Sequence, residues 1–344
     1  MSEKIWIVLE QRDGKIHKMS WEAIQAGQAL AAAVGGRAEA VLLGSGLQEV
    51  ASQVAQTALA SVHVADDESL AVYTPGRFVK TLEEAIAVGQ PAYVLFPHTY
   101  QTVDFLARLA QSLDAALVPE AVSFESTDGS VTWQRPVLGG KLLSKVRAKG
   151  SGPVLVSLQS GSFSADEVEK GSASIETLSL DFSAMAPGRE ILGVEEAAGG
   201  DVDLSQAPVI VSVGRGIGDA ENLPIMQDLA DALGAELGAS RPVIDSGWLP
   251  RDRQIGSSGQ TVTPKLYFAA GISGAIQHLV GMKGSQVIVA VNKDAGAPIF
   301  NVAHYGIVGD LHEVVPAVTA ALNVAVAASV GRSATGQHWR PRRR

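Results

Sequence analysis

No cysteine occurs anywhere in the 344 residues. That absence excludes disulfides, thiol catalysis, iron–sulfur ligation and thiolate zinc sites, and it agrees with a reducing compartment. Any redox chemistry must therefore come from a bound cofactor. Positive charge is also short: 27 Lys and Arg face 36 Asp and Glu, a net charge of −9. No global basic field is available to hold a phosphodiester backbone, so no nucleic-acid partner is expected. The seven histidines, His17, His63, His98, His278, His304, His312 and His338, lack the helical His-x-x-x-His spacing, and no metal is expected. Long apolar runs are missing too. The longest near the end, AVTAALNVAVAASV at 317–330, falls short of the roughly 20 apolar residues that span a bilayer; it reads as a packed helix, and no membrane insertion is expected. The opening MSEKIWIVLEQRDGKIH has neither a basic region with a long apolar core nor an Arg/Ser-rich presequence, which reads as cytoplasmic. No internal repeat of fixed period is found.

What is there is globular text, 46% hydrophobic and 18% charged. At roughly 100–200 residues per domain, the length suggests two domains. In the first half, short β-branched apolar runs alternate with amphipathic stretches. Strands are predicted over 4–10, 38–43, 61–65 and 92–97, and helices over 21–34, 48–59, 77–88 and 102–113. Parallel strands need a crossover, usually a helix, so this rhythm predicts a parallel sheet. From Ala121 the text becomes β-rich without helices, and Asp128-Gly129 signals a hairpin, which places antiparallel strands at an edge of the first sheet. Residues 183–207 hold Pro187, Gly188, Gly199, Gly200 and, between Glu190 and Asp201, four acidic groups, with no sustained period; the domain boundary is set there. After it, α/β text resumes through PVIVSVG, NLPIMQDLADALG, KLYFAAG, GAIQHLVGM, SQVIVAVN and YGIVGD, then a long helix from about Leu311. The fold class is therefore α/β, with two domains, each a mainly parallel sheet flanked by helices and the second doubly wound. The expected limits are 1–190 for an N-terminal domain, 191–207 for a linker, 208–330 for the second domain and 331–344 for a basic disordered tail. The tail GRSATGQHWRPRRR has five arginines and reads either as a solvated end or as a contact to an acidic partner.

Chemistry is sparse in the first half. His98 and Tyr100 follow a strand end, the edge where open α/β sheets bind ligands, but they also read as ordinary loop polar groups. In the second half four strand ends are followed by polar or glycine-rich turns. VSVGRGIG offers Gly214, Arg215 and Gly216, where glycines admit close backbone approach and a guanidinium suits phosphate. Asp219 stands where a third glycine would complete the usual fingerprint, so a plain loop remains open. GASRPVIDSGWLPRDRQIGSSGQTV, 238–262, is read as one long segment of little period, holding Ser240, Arg241, Gln254, Ser257 and Ser258. Such segments are functional or simply loop; here Arg241 is able to stack on a planar ring. After KLYFAAG, the turn Gly271-Ile272-Ser273-Gly274 leads into a helix whose first amides suit a pyrophosphate, with Ser273 as the alternative N-cap. Gln277 and His278 fall in the first helical turn. His278 reads either as a core residue or as a group that donates to, or places positive charge beside, an oxygen that becomes anionic on reduction. Asn292, Lys293, Asp294 and Asp310 end the last strands and suit ribose hydroxyls and adenine edges.

The stretch LYFAAGISGAIQHLVGMKGSQVIVAVNKDAGAPIFNVAHYGIVGDL, 266–311, closely resembles the signature of electron transfer flavoprotein alpha subunits. The similarity reaches back through GRG, GASRPV and QIGSSG. It covers roughly the last 130 residues strongly; the first half is similar only in α/β rhythm, length and position. The resemblance implies an FAD carrier that forms a heterodimer with a β subunit. It also implies that the carrier accepts electrons from flavoprotein dehydrogenases, such as the acyl-CoA dehydrogenases of fatty acid β-oxidation, and passes them to a membrane quinone oxidoreductase. Carried over to this chain, the FAD contacts fall on Arg215, on Ser240 and Arg241, and on the loop of Ile255, Gly256, Ser257 and Ser258. They continue through Ser273, Gly274, Ala275, Ile276, Gln277 and His278, and end on Asn292, Asp310 and Leu311. By that resemblance Arg241 lies against the isoalloxazine, Ser258 reaches N5 and His278 approaches the O2 carbonyl to favour anionic reduced flavin. Ser273 and the helix start hold pyrophosphate; Asn292 and Asp310 hold the adenosine end. Many members read Gln-Thr where this chain has Ser257-Ser258, so the N5 contact keeps a hydroxyl and loses a methyl. The arginine tail matches nothing in the family pattern. An electron carrier without substrate chemistry is expected. The alternatives are an adenine-nucleotide-binding module without redox role, a bifurcating-type flavoprotein subunit whose partner holds a second FAD, and a dehydrogenase with its own substrate.

Overall fold

The computed structural model describes residues 3–12, 14–127, 129–138, 140–150, 152–182, 191–193 and 202–334. The chain divides into two compact units, Met1–Glu196 and Ala197–Arg344. The first begins with β1 (Lys4–Leu9), the short hairpin β2 (Gln11–Arg12) and β3 (Lys15–Ile16), α1 (Lys18–Val34), β4 (Arg37–Gly44), α2 (Gln48–Val54) and β5 (Ser61–Asp66). It continues with α3 (Pro75–Gly89), β6 (Tyr93–Pro97), α4 (Tyr100–Ser112), β7 (Ala116–Ala121), β8 (Ser123–Thr127), β9 (Ser130–Val137), β10 (Leu142–Val146), β11 (Val154–Leu158) and β12 (Ser174–Thr177). Seven of these strands form one parallel sheet in the order β12-β5-β4-β1-β6-β11-β7.

Local chemistry sets the helix limits. The imidazole of His17 accepts the amide of Met19 at the start of α1, and Gly35, in the left-handed region at φ 66°, closes its end by donating to Ala31 O. Ala23, Ile24, Leu30 and Ala31 of α1 are buried with Ile5, Ile7 and Leu42 of the sheet, the spacing of one helical face. Phe78, Leu82 and Ile86 of α3 and Phe105, Leu106 and Leu109 of α4 cover the opposite face with Trp6, Val8 and Val94. Apolar side chains on both faces explain why β1 and β4 read as nearly continuous apolar runs.

One expectation for this unit needs correction. The antiparallel strands β8, β9 and β10 do not extend the main sheet; they form a separate three-stranded sheet in the order β10-β9-β8. The later strands go elsewhere: β11 inserts between β6 and β7, and β12 pairs with β5 at the far edge. The hairpin's Asp128 lies outside the described residues.

In the second unit the elements are β13 (Val209–Val213), α5 (Pro224–Leu233), β14 (Glu236–Ala239), α6 (Arg241–Asp245), β15 (Leu266–Ala270), α7 (Ile276–Val280), β16 (Val287–Asn292), β17 (Tyr305–Val308) and α8 (Leu311–Ala334). All five strands are parallel, in the order β14-β13-β15-β16-β17. Val211, Phe268 and Val291 pack with α5, α6 and α8, while Ile210, Tyr267 and Ile288 face Ile255, Ile272 and Met282. The segment read as one long loop thus starts with a strand and a short helix. Of the expected linker, Leu204 and Ala207 are buried in this unit's core, and most of the rest lies outside the described residues. The final helix runs to Ala334, so residues 331–334 of the expected tail are helical; 335–344 lie outside the described residues.

One buried acid gives the first unit a pH dependence. Glu22 of α1 is 4% exposed, and its Oε2 accepts the amide of Gly161 at 2.8 Å. Burial pushes its carboxyl from 4.5 up to about 7, against smaller lowering by the Gly161 amide and Lys18. Between pH 4.5 and 7 the folded unit holds a proton that the unfolded chain releases, so stability is present at the low end and lost as pH rises through 7, by on the order of 3 kcal/mol. In Glu22→Gln this slope is expected to disappear, as measured by urea unfolding followed through Trp6, Trp21 and Trp133 fluorescence at pH 5 and pH 8.

Candidate functional site

In a parallel sheet every strand ends on the same edge, so the loops after β13, β14, β15, β16 and β17 gather there. Strand order reverses between β13 and β15, and the crevice at such a switch point is where open α/β sheets take ligands. Arg215 follows β13, and Ser240 and Arg241 follow β14. Ser273 to His278 follow β15, Asn292 ends β16, and Asp310 and Leu311 follow β17. The structure therefore brings all of them to one edge, and the loop 255–258 is joined to it by hydrogen bonds to α7.

The loops meet backbone to backbone. A Cβ on Gly214 would stand 2.1 Å from Gly271 O, and one on Gly216 2.7 Å from Gly271 Cα. Further along the same turn, Gly274 has φ +86° and a Cβ there would reach Ile299 N at 2.2 Å. Ser273 is exposed and is not the N-cap; that position belongs to Ala275. The amides of Ser273, Gly274, Ala275, Ile276 and Gln277 have no acceptor among the described residues. Five successive free N–H groups at a helix start form a ready anion seat. Arg215 is exposed without an ion pair among the described residues. Arg241 Nε meets Asp245 Oδ2 at 3.3 Å, with both side chains largely in solvent, a pair weak enough to yield to a ligand. Ser240 is buried, and its hydroxyl makes no hydrogen bond among the described residues.

The 254–262 loop is stitched to α7. Ser257 N donates to Gln277 O at 2.7 Å and Val262 N to Gly281 O at 2.8 Å. Gly256 sits at φ +141°, where a Cβ would press to 2.8 Å from Gln277 O. His278 completes the join: Nδ1 lies 3.1 Å from Ile255 O and Nε2 2.9 Å from Tyr267 Oη. A carbonyl only accepts, so Nδ1 carries the proton and Nε2 accepts from the tyrosine. Burial pulls the imidazole from 6.5 down to about 4, against a smaller raising effect of the Ile255 carbonyl.

Several expected roles are corrected by this geometry. His278 is a neutral clamp with both nitrogens engaged inside the protein, so it offers neither a positive charge nor a free donor. Ile255 and Leu311 turn their side chains into the core; Leu311 lies beneath Gly271. Asn292 donates to Ile272 O at 2.9 Å and accepts from Asp294 N at 3.0 Å, which braces two loops. Asp310 accepts His312 N at 2.9 Å at the start of α8 and pairs with Lys293 at 3.0 Å. The amide of His312 and the ammonium of Lys293 hold its carboxyl below the usual range. Tyr267 was missed; its only signal was a polar atom in an apolar strand. In the first unit, His98 Nδ1 bonds Ser157 Oγ at 2.8 Å and Nε2 faces Glu120 at 3.4 Å, so its polar groups are engaged locally.

Two known family models match this chain. Residues 5–183 match the family model described as electron transfer flavoprotein domain, and 203–283 match the electron transfer flavoprotein FAD-binding domain. A relative named electron transfer flavoprotein subunit alpha, from Syntrophomonas wolfei, is 37% identical over 92% of this chain and 98% of its own. The chain belongs to the electron transfer flavoprotein alpha subunit family. A Bacillus subtilis member of the same name is 38% identical over 93% of this chain and 97% of its own, and the FixB protein of Azotobacter vinelandii is 36% identical over 92% and 90%. The cofactor of this flavoprotein family is FAD, and the residues fit it: amides without an acceptor among the described residues for the pyrophosphate, and exposed guanidiniums.

The clamp makes the second unit acid-sensitive. The unfolded chain binds a proton at His278 below pH 6.5 that the folded one refuses until about pH 4, so stability is full above 6.5 and falls toward 4, by on the order of 3 kcal/mol. In a variant that keeps Trp248 as its only tryptophan, His278→Gln should flatten that decline in urea unfolding.

Proposed function

We propose that this chain is the FAD-holding subunit of a heterodimer with an electron transfer flavoprotein β subunit. It accepts electrons from flavoprotein dehydrogenases, acyl-CoA dehydrogenases among them, and delivers them to a membrane quinone oxidoreductase from the cytoplasm. The observation that carries this reading is the run of five amides from Ser273 to Gln277 with no acceptor among the described residues, on the same sheet edge as the exposed Arg215 and Arg241. FAD, when bound, supplies a ring that takes and releases electrons. The chain's part is to bind, orient and tune it. Ser273, the amides behind it and Arg215 hold the pyrophosphate. The Arg241 guanidinium would lie against the ring and favour the form carrying extra negative charge. Ser258 would offer its hydroxyl to the N5 edge of the bound ring. Because His278 is neutral, tuning by full charge falls to Arg241.

Family membership supports the carrier role, and the subunit name of the relatives supports a companion chain. Among the described residues no helix is long and apolar enough to cross a membrane, and no group of His, Cys, Asp or Glu is placed to hold a metal. A nucleotide module without redox work leaves the exposed Arg241 and the 254–258 loop unexplained.

Co-expression with the β subunit followed by cofactor extraction tests the proposal. One FAD per heterodimer, reduced by an acyl-CoA dehydrogenase with its substrate, is expected; a colourless complex would overturn it, and two FAD would shift the reading to a bifurcating type. In Arg241→Ala the first-electron potential should fall by about a tenfold equilibrium change, ~59 mV for one electron, with FAD content kept.

A further inference from the structure

We propose that Gln254 is a positioning residue that sets the direction of the Ser258 hydroxyl and, through it, the electron affinity of the site. The inference rests on the reading above, in which Ser258 meets the N5 edge of the flavin. Gln254 Nε2 donates to Ser258 Oγ at 3.0 Å. A serine oxygen has one proton to give and lone pairs with which to receive. With a lone pair taken by the amide N–H, the hydroxyl proton points away from Gln254. Ser258 is exposed and has no other side-chain partner among the described residues, so that proton faces the open side of the loop.

The support under this bond is rigid. Gln254 is 6% exposed. Its backbone is held on both sides, its amide donating to Arg251 O at 3.1 Å and its carbonyl accepting Gln260 N at 2.7 Å, and it forms a bridge to Ala239 at the end of β14. Gly259 packs against it: a Cβ there would stand 2.3 Å from Gln254 O and 2.9 Å from Gln254 Cγ. Packing alone would be served by an apolar side chain of similar volume, since burying an amide is costly unless it is hydrogen-bonded. The bond to Ser258 is the one described for this side chain. A serine also lacks the second Cβ substituent that makes threonine stiff about χ1, so at position 258 the hydroxyl's direction depends on its neighbour. A donor aimed at N5 interacts more strongly with negative charge than with a neutral ring, and an aligned hydroxyl therefore favours the added electron.

The test uses the FAD-loaded heterodimer. FAD per chain and the first-electron midpoint potential are measured for Ser258→Ala, Gln254→Leu, Gln254→Glu and the double variant Gln254→Leu with Ser258→Ala. Ser258→Ala is expected to lower the potential by about a tenfold equilibrium change, ~59 mV for one electron. Gln254→Leu lowers it by a smaller amount with FAD retained. Gln254→Glu lowers it at least as far as Ser258→Ala, because a carboxylate accepts the hydroxyl proton, turns it inward and adds negative charge near the ring. In the Ser258→Ala background, Gln254→Leu adds nothing. A Gln254→Leu shift of equal size with and without the hydroxyl overturns the inference, as do Gln254 variants at the wild-type potential when Ser258→Ala is shifted. Ser258→Ala at the wild-type potential overturns the N5 contact itself, a distinguishable failure. Should Gln254→Leu lose FAD, Gln254→Asn, an amide one methylene short, takes its place under the same criteria.

Discussion

Backbone lies against backbone where the loop leaving β13 crosses the loop leaving β15, and the site depends on that contact. Gly214, Gly216 and Gly271 stand so close that even a methyl group on one would overlap the others. Were any of them larger, the two loops would separate and the turn from Gly271 to Gly274 would lift off the sheet edge. Held down, that turn delivers five amides with no partner among the described residues to the crevice where the strand order reverses. Glycine is the residue that makes such an approach possible, and the strand crossover is what makes the approach useful.

Around this contact the polar groups divide into those that hold loops and those left for a ligand. His278, Tyr267, Asn292 and Asp310 hydrogen-bond within the protein, joining loop 254–262 to α7, the β15 turn to β16, and β17 to α8. Arg215, Arg241 and the amides of 273–277 are left outward. Such a division is the physical meaning of preorganisation: the inner set removes loop freedom before a ligand arrives, so that the outer set loses little on binding. It also explains why a histidine in the first turn of α7 is uncharged. Its surroundings are apolar and its two partners satisfy the neutral ring.

The first unit repeats the same parallel construction, and several polar groups at its sheet edge are paired with one another. At the carboxyl edge of its sheet, Glu10 is bonded to Thr99, His98 to Ser157 and Glu120, and Glu22 to the Gly161 amide. There, groups that in sequence resemble those of the second unit satisfy one another.

Much of this was legible in the linear chain. Alternating apolar strands and amphipathic helices announce parallel sheets because a parallel return needs a crossover, and the predicted strands from Lys4 to Pro97 lie close to those observed. The glycines and polar residues after each later strand marked the site loops, since strand direction alone sends them to one edge. What periodicity did not reveal came from distant pairing: β11 finding the gap between β6 and β7, β14 emerging from text read as loop, and β8 to β10 forming a sheet of their own. The same holds for side-chain roles. That His278 is buried against Tyr267, that Asn292 and Asp310 brace loops, and that Gln254 holds Ser258 depend on which atoms the fold brings within 3 Å. The sequence by itself determined the strand and helix repertoire and the loop chemistry, because these follow from local pattern; only the tertiary structure decided which polar groups were already partnered, because hydrogen bonds are short-ranged and their partners lie far apart in the chain.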